Sequence, residues 1–153
     1  MEFVIKHAHG LHNMPDAAAL RRLVFIKEQG FQNEFEPLDD KAVHFVCYAD
    51  ETPAGTGRLY EDPQDPSTVH PGRIAVRREF RGQHLGALLL RTMEQYAARQ
   101  GYRFCVLSAQ VRAQGFYEKM GYSAEGVPYM DEFCPHIRMK KAIGTERNPA
   151  DGD

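Results

Sequence analysis

A short apolar strand, a glycine-containing turn and a long amphipathic helix follow one another near the middle of the chain. Residues 73–76 are predicted to form a buried strand, and residues 85–97 carry apolar side chains at i, i+3, i+4 and i+7 before a stop at Gly101. Between them lies the sequence Arg81-Gly82-Gln83-His84-Leu85-Gly86. This order places free backbone N–H groups and the positive end of a helix dipole at one point, which can bind phosphate.

This segment alone leaves two interpretations open. Gly82 and Gly86 can let the backbone approach an anion, because neither has a Cβ, and Arg81 adds a positive charge. Equally, Gly82 can serve only the turn and Gly86 only the packing of the helix on the sheet. Two other phosphate motifs are excluded, since the chain has neither Gly-x-x-x-x-Gly-Lys-Ser/Thr nor Gly-x-Gly-x-x-Gly with a later acidic residue.

The rest of the chain is predicted to alternate between short strands and helices. We expect strands at residues 3–5, 43–48, 54–60, 104–107, 122–127 and 137–140, and helices at residues 15–27, 113–120 and, as a short one, within 29–41. Residues 61–72 are rich in proline and are predicted to form a loop. This order indicates a mixed α/β sheet. We expect a single domain at residues 1–143 and a polar tail at residues 144–153 that frays.

Composition narrows the classes of partner. The formal net charge of −2 supplies no general attraction to nucleic acid. A membrane segment is not expected either, because no stretch of about 18 consecutive apolar residues occurs. Cys47, Cys105 and Cys134 are predicted to be reduced packing residues, which favours a cytoplasmic protein. No metal is expected, since the spacing of three N-terminal histidines fits no regular ligand set; they are His7, His9 and His12.

Two segments carry a resemblance to a known family. Residues 81–87 resemble the signature of the GNAT acyltransferases, Gln/Arg-x-x-Gly-x-Gly/Ala, with His84 where many members have glycine and Leu88 where a small residue is usual. Downstream, the family pattern Asn-x-x-Ala-x-x-Phe-Tyr-x-x-x-Gly-Phe/Tyr is matched from Gln110 to Tyr122, with glutamine in place of asparagine. The run Phe25-Ile26-Lys27-Glu28-Gln29-Gly30 and the segment Pro135-His136-Ile137-Arg138-Met139 are similar to the ElaA/YjcF-like branch of this family.

The resemblance implies a fold and a cosubstrate. The GNAT fold has a mostly antiparallel sheet of six to seven strands, splayed between strands 4 and 5 and flanked by about four helices. The implied cosubstrate is acetyl-CoA, and a homodimer fits the habits of the superfamily. By match to the family, we expect acetyl-CoA to contact the backbone of one strand, the glycine turn and two downstream side chains: Ile74, Ala75, Val76, Arg81, Gly82, Gln83, His84, Leu85, Gly86, Ala87, Gln110 and Phe116.

The resemblance also implies catalytic residues. Tyr117 matches the tyrosine that lies near the CoA sulfur in the family, although a half-buried core tyrosine is the alternative. Removal of a proton from the attacking amine requires a carboxylate, an imidazole or a water held by them. The candidates are Glu28, His44, Glu132 and His136, each of which can instead be structural. Arg58 can bind an acidic substrate group or merely a neighbouring carboxylate.

Two functions from different classes follow. The first is an acetyl-CoA-dependent N-acetyltransferase in which an amine of a small molecule or peptide attacks the thioester directly in a ternary complex. The second is a catalytically silent acyl-CoA-binding module that acts as a sensor or interaction surface. Tyr117 favours the enzyme. The sequence does not specify the amine.

Overall fold

The computed structural model describes residues 2–144 and confirms the predicted mixed α/β class. The strands are β1 (Phe3–His9), β2 (Val43–Ala49), β3 (Thr52–Asp62), β4 (Asp65–Val76), β5 (Phe104–Gln110), β6 (Ser123–Asp131) and β7 (Cys134–Ala142). The helices are α1 (Pro15–Arg21), which continues as a π-helical segment (Arg22–Glu28), α2 (Leu85–Arg99) and α3 (Gln114–Lys119). Short 3₁₀ turns occupy Leu11–Asn13, Pro37–Asp40, Arg78–Phe80 and Val111–Ala113. Apart from Gly144, the predicted frayed tail lies outside the described residues.

Hydrogen bonding orders the seven strands as β1-β2-β3-β4-β5-β7-β6. The sheet is mostly antiparallel, and β4 with β5 forms a parallel pair. Three α-helices, in place of about four, are present within residues 2–144, because the short helix expected between α1 and β2 is a 3₁₀ turn at Pro37–Asp40. None of the helices in this range is both long and apolar enough to cross a membrane.

The predicted loop at residues 61–72 is wrong. It is the end of β3, a tight turn and most of β4. Two aspartates make the turn, since Asp62 accepts a hydrogen bond from the N–H of Gln64 at 2.8 Å and Asp65 accepts one from the N–H of Ser67 at 3.0 Å. Prolines are tolerated at strand positions whose N–H the ladder does not need, so a high proline content did not exclude a strand here.

The chain divides into two compact units that are interleaved in sequence. The first contains residues 2–60 and 71–93. Its α1 packs on β2 through a core of Met14, Ala17, Leu20 and Val46. Pro15 stands at the start of α1, where its missing N–H has no acceptor to lose. A second apolar cluster joins Val24 and Phe25 of the π-helical segment to Ala75 of β4.

The second unit contains residues 61–70 and 94–144. Within it, β4 pairs with β5 only at Thr68 and Val69, opposite Phe104 and Cys105. At the next residue of β4, a side chain rather than the backbone contacts β5: His70 Nδ1 lies 2.9 Å from the carbonyl oxygen of Val106. The backbone ladder between the fourth and fifth strands therefore ends early, as splayed strands require.

Three arginines and three carboxylates of the first unit form a connected set of ion pairs, which we call the arginine–carboxylate network: Arg21, Arg58, Arg73, Glu34, Glu36 and Asp39. Arg21 lies at its centre with a side chain only 1% exposed. Its guanidinium donates to Glu34 Oε2 at 2.7 Å, to the Glu34 carbonyl at 3.0 Å and to both Asp39 oxygens at 2.9 and 3.2 Å.

Burial and charge act in opposite directions within the network. Burial disfavours the ionised form of Asp39, but hydrogen bonds from Arg21, from the Glu36 N–H and from Arg58 outweigh it and lower the pKa of Asp39 to about 2. For Glu34, burial is the larger effect, and it raises the pKa despite Arg73 and Arg21. Arg58 is buried and bound to Glu36 and Asp39, so the neighbouring-carboxylate interpretation of this residue is confirmed.

Replacing Arg21 with alanine is expected to lower the free energy of unfolding by about 3–5 kcal/mol, because Glu34 and Asp39 would remain buried without their main partner. Arg22 is the matched control, since it is the next residue, is exposed and, among residues 2–144, makes no ion pair but stacks on the Phe35 ring at 5.2 Å. Its replacement with alanine should cost at most about 1 kcal/mol. Urea unfolding measures both values, and equal losses would show that the network does not stabilise the fold.

Candidate active site

The glycine turn joins β4 to α2 through two left-handed residues. After β4 ends at Val76, the chain passes a 3₁₀ turn and reaches Gly82 with a φ of 85° and His84 with a φ of 62°. Leu85 then begins α2 with its side chain 2% exposed. His84 therefore keeps a backbone conformation that favours glycine, which accounts for the glycine usual at this position of the signature.

The head of α2 presents backbone donors to solvent. The first four N–H groups of an α-helix have no acceptor within the helix, and they lie at the positive end of its dipole. Here the four residues before the helix, 81–84, are exposed, whereas Leu85 and Ala87 are buried and anchor the first turn. The geometry suits an anion that approaches the turn from solvent.

Arg81 is bound to Glu28 in the same turn. Its Nη1 and Nη2 donate to the two carboxylate oxygens of Glu28 at 2.5 and 2.8 Å, and its Nε donates to the Val76 carbonyl at 2.9 Å. The hydrogen bond to Glu28 raises the pKa of Arg81. Both side chains stay accessible, at 40% and 25% exposure. A predicted cofactor ligand and a predicted base are thus direct partners.

The π-helical segment positions Glu28. Residues Arg22–Glu28 continue α1 with wider turns, and the N–H of Gln29 reaches back five residues to the Val24 carbonyl at 3.0 Å. Val24 and Phe25 are buried, while Glu28 at the end of the segment turns toward Arg81. Sequence periodicity predicted an ordinary helix to residue 27, and a π segment this short leaves no periodic signal of its own.

In the second unit, Tyr117 lies on α3 with an unused hydroxyl. Its ring packs edge-on against Phe116 at 4.9 Å and Tyr122 at 5.9 Å between ring centres. Burial raises the pKa of Tyr117 to about 12. Within residues 2–144 the hydroxyl has no hydrogen-bond partner. Tyr117 is therefore a neutral hydrogen-bond donor that can serve a ligand.

The end of α3 is fixed by a partly buried charge pair. Tyr122 donates to Glu94 Oε2 at 2.7 Å, and Lys141 Nζ donates to Glu94 Oε1 at 2.9 Å. Lys141 also donates to the Met120 carbonyl at 2.8 Å, which is one of the last carbonyls of this helical turn. Burial raises the pKa of Tyr122, so this phenol is a permanent donor to the carboxylate. These bonds hold the helix that carries Tyr117.

Gln110 and His136 are neighbours across β5 and β7. They are directly opposed in the register, and Tyr129 of β6 opposes His136 on its other side, with the two rings stacked at 6.2 Å. His136 Nδ1 lies 2.9 Å from the Cys134 carbonyl. A carbonyl can only accept, so Nδ1 carries the proton and the basic lone pair of the neutral ring is on Nε2. The Gln110 side-chain oxygen accepts from Arg112 at 2.6 Å.

The other candidate bases lie in different settings. Glu132 occupies the tight turn between β6 and β7 with a φ of 56° and an exposed side chain. His44 is fully buried, with Nε2 2.8 Å from the Asp39 carbonyl, and burial lowers its pKa. His44 is thus a neutral core residue of the arginine–carboxylate network region.

The predicted site residues fall into two groups. Glu28 and Arg81 are together in the first unit, which also contains Ile74, Ala75, Val76 and the turn at residues 82–87. Gln110 and His136 are together in the second unit, which also contains Phe116, Tyr117 and Glu132. The arginine–carboxylate network was not predicted, because its members are spread over more than 50 residues and no local motif links them.

A family model described as the acetyltransferase (GNAT) family matches residues 14–122, a range that includes both motifs. The chain belongs to the GNAT family.

Relatives and solved structures agree with this assignment. The N-acetyltransferase YjcF of Bacillus subtilis, itself uncharacterised, is 31% identical over 131 residues, covering 84% of this GNAT chain and 91% of YjcF. The crystal structure of a candidate N-acetyltransferase from Lactobacillus plantarum has a TM-score of 0.84 at 31% identity, covering 94% of this chain and 99% of that one. Escherichia coli ElaA shares the fold, with a TM-score of 0.81 at 21% identity over 92% of this chain and 99% of ElaA.

The left-handed turn of this GNAT protein can be tested at His84. Replacement with glycine is expected to keep or raise the free energy of unfolding, whereas valine should lower it by about 1–2 kcal/mol, because a β-branched residue is strained at positive φ. Gln83 is the matched control, since its φ is not positive and the same two replacements there should not favour glycine. Thermal unfolding of the four variants measures the difference. If glycine and valine are equivalent at residue 84, the turn is not held in this conformation.

Proposed function

We propose that this GNAT protein transfers the acetyl group of acetyl-CoA to an amine of a small molecule or peptide, by direct attack in a ternary complex. The observation that carries the proposal is the turn at Gly82 and His84, which opens the head of α2 to solvent in a chain of this family. The donor diphosphate would lie on the N–H groups of residues 82–87, where the helix dipole and Arg81 favour negative charge.

The pantetheine and acetyl group of acetyl-CoA would contact residues of β4, β5 and α3. The backbone of Ile74, Ala75 and Val76 would bind the pantetheine and the acetyl carbonyl, with the Val76 N–H as the oxyanion donor. Such a donor acts where negative charge develops, and its removal in other enzymes lowers the rate about 10²- to 10³-fold. By resemblance to the family, Gln110 and Phe116 would also contact the pantetheine.

The reaction needs two proton transfers. The amine nitrogen attacks the thioester carbonyl, the new C–N bond forms, the C–S bond breaks, the amine proton passes to a base and the CoA thiolate takes up a proton. A pKa of about 12 for Tyr117 lies well above that of a thiol, about 8.5, so Tyr117 stabilises the thiolate by donating a hydrogen bond and solvent supplies the final proton.

Three residues remain candidates for the base. His136 has its basic lone pair on Nε2 because Nδ1 bonds to a carbonyl, and Glu132 is exposed at its hairpin. Glu28 is bound to Arg81, so its carboxylate becomes available as a base only when the donor diphosphate takes over Arg81. This coupling would favour binding of acetyl-CoA before the amine.

The cytoplasm is the proposed compartment. Cys47 and Cys105 are buried and Cys134 is partly buried, and all three are free thiols, which supports a reducing environment. A homodimer stays a prediction.

The proposed function predicts that acetyl-CoA raises the melting temperature and that free thiol is released when an amine is added from a panel of small amines and peptides. Tyr117→Phe should lower turnover more than acetyl-CoA affinity, while Gly86→Glu should abolish binding by crowding and repelling the phosphates. Binding without turnover on any amine would favour a silent acyl-CoA-binding module. No shift in melting temperature with acetyl-CoA or CoA would exclude both functions.

Glu28→Gln is predicted to tighten acetyl-CoA binding about 2- to 5-fold, because the diphosphate would no longer compete with an exposed ion pair of Arg81. Arg81 keeps its bond to the Val76 carbonyl, so its side chain remains placed. Glu79→Gln is the matched control, since it removes the same charge two residues from Arg81 but bonds to Arg77. Isothermal titration measures the three dissociation constants. Weaker binding by Glu28→Gln would mean that the pair supports the donor site.

A further inference from the structure

The arginines of the arginine–carboxylate network make fewer hydrogen bonds at its exposed end, at Arg73, than at its buried end, at Arg21. Arg21 makes four hydrogen bonds of 2.7–3.2 Å at its buried end. Arg73, at the other end, is 29% exposed. The one hydrogen bond that its side chain makes within residues 2–144 is a long contact of 3.5 Å to Glu36 Oε2. Arg73 therefore has donor capacity that the described protein does not use.

Two buried guanidinium nitrogens add to this excess of donors. Arg58 Nε is buried without a hydrogen-bond partner, in a side chain only 6% exposed. Arg73 Nε is likewise unsatisfied, since it lies 3.2 Å from Glu34 Oε2 without the alignment of a hydrogen bond. Buried polar atoms are almost always paired, so these two nitrogens leave the arginines of the network short of acceptors, and the part of the set that a ligand can reach is the exposed portion of Arg73.

The backbone at Arg73 is also strained. Its φ of 48° is in the left-handed region, which an arginine rarely adopts because its Cβ is crowded there. Arg73 directly precedes Ile74, the first residue of the strand segment proposed to hold the acetyl group. Each residue of strand spans about 3.3 Å, so the unusual conformation lies within about 10 Å along β4 of Val76, the proposed oxyanion donor.

We propose that the exposed end of the network is the acceptor site, and that the acceptor is an amine bearing a carboxylate. Arg73 binds the carboxylate and Glu36, whose side chain is 37% exposed, accepts a hydrogen bond from the amine. This inference rests on the proposed function, because it names the substrate class of the same reaction.

Charge balance favours this class over other anions. The network has three guanidinium groups and three carboxylates, so its formal charges cancel. An amino acid brings one charge of each sign and leaves that balance unchanged. A phosphate-bearing amine would instead add negative charge beside the buried carboxylate of Glu34 and the partly exposed carboxylate of Glu36, which is costly at low dielectric. A planar carboxylate also matches the two parallel N–H donors of a guanidinium.

Glu36 is a positioning residue in this arrangement. Its Oε2 already accepts a hydrogen bond from Arg58 at 2.9 Å, which fixes the carboxylate relative to the buried part of the network. The amine held by it must still lose a proton to a base before the nitrogen attacks. Arg73 and Glu36 thus define where the amine lies and leave the chemistry to the donor site.

The test compares amino acids with their methyl esters, in which a neutral ester group with one added methyl replaces the charged carboxylate. α-, β- and γ-amino acids and their esters are assayed with acetyl-CoA for turnover. Binding of each to the CoA-saturated protein is measured by isothermal titration. We expect at least one acid to be preferred over its ester by about tenfold or more, as a charge-assisted bidentate pair implies. Arg73→Gln should remove this preference by raising KM for the acid, without changing KM for acetyl-CoA.

Two further variants separate binding from folding. Arg73→Lys keeps the charge and should retain part of the preference, and Arg91→Gln is the control at an exposed position of α2 outside the network. A preference for acids that survives Arg73→Gln, or no preference for any acid in turnover or binding, would overturn the inference. Failure of the protein to bind acetyl-CoA would instead reject the proposed function. In that case, binding of the amino acids to the protein without acetyl-CoA would still test whether Arg73 binds their carboxylate.

Discussion

The buried guanidinium of Arg21 must be neutralised where it lies, and much of the first unit follows from that requirement. Glu34 and Asp39 reach it from the connection between α1 and β2, so this connection of irregular backbone has a defined path. Asp39 also binds Arg58 of β3, and Glu34 lies beside Arg73 of β4. One buried charge thereby links a helix, a connection and two strands, and it leaves the incompletely paired end of the network at the surface.

Each of the two proposed binding sites of the first unit contains an arginine paired with a glutamate. At the donor site Arg81 is paired with Glu28, and at the acceptor site Arg73 is paired with Glu36. At the donor site the diphosphate would replace the Glu28 carboxylate, so the Arg81 guanidinium would exchange one partner for another. At the acceptor site the substrate carboxylate would use donors of Arg73 that are not hydrogen-bonded, while Glu36 would stay bound to Arg58. In both sites the protein carboxylate offsets the desolvation penalty of the arginine before the substrate binds.

Local signals in the sequence predicted the helix α2, the glycine turn and most strands, because apolar periodicity and turn residues act over a few positions. The first two thirds of β4 were missed, although its end at residues 73–76 was predicted, because the bonds of Asp62 and Asp65 that make its hairpin outweigh the proline content. Pairings between distant residues could not be predicted. Arg81 and Glu28 are 53 residues apart, and nothing in either segment indicates the other. The strain at Arg73 likewise depends on tertiary contacts.

The chain has a net negative charge, yet its proposed ligands carry phosphate and carboxylate groups, so these groups must be bound by local donors. A net charge of −2 gives no long-range attraction for acetyl-CoA or for an amino acid. Binding must then come from short-range donors: the N–H groups at the head of α2, the guanidinium groups of Arg81 and Arg73, and the hydroxyl of Tyr117. Because burial raises the pKa of Tyr117 to about 12, that donor keeps its proton at any physiological pH. The pH dependence of turnover would therefore report on the amine and its base.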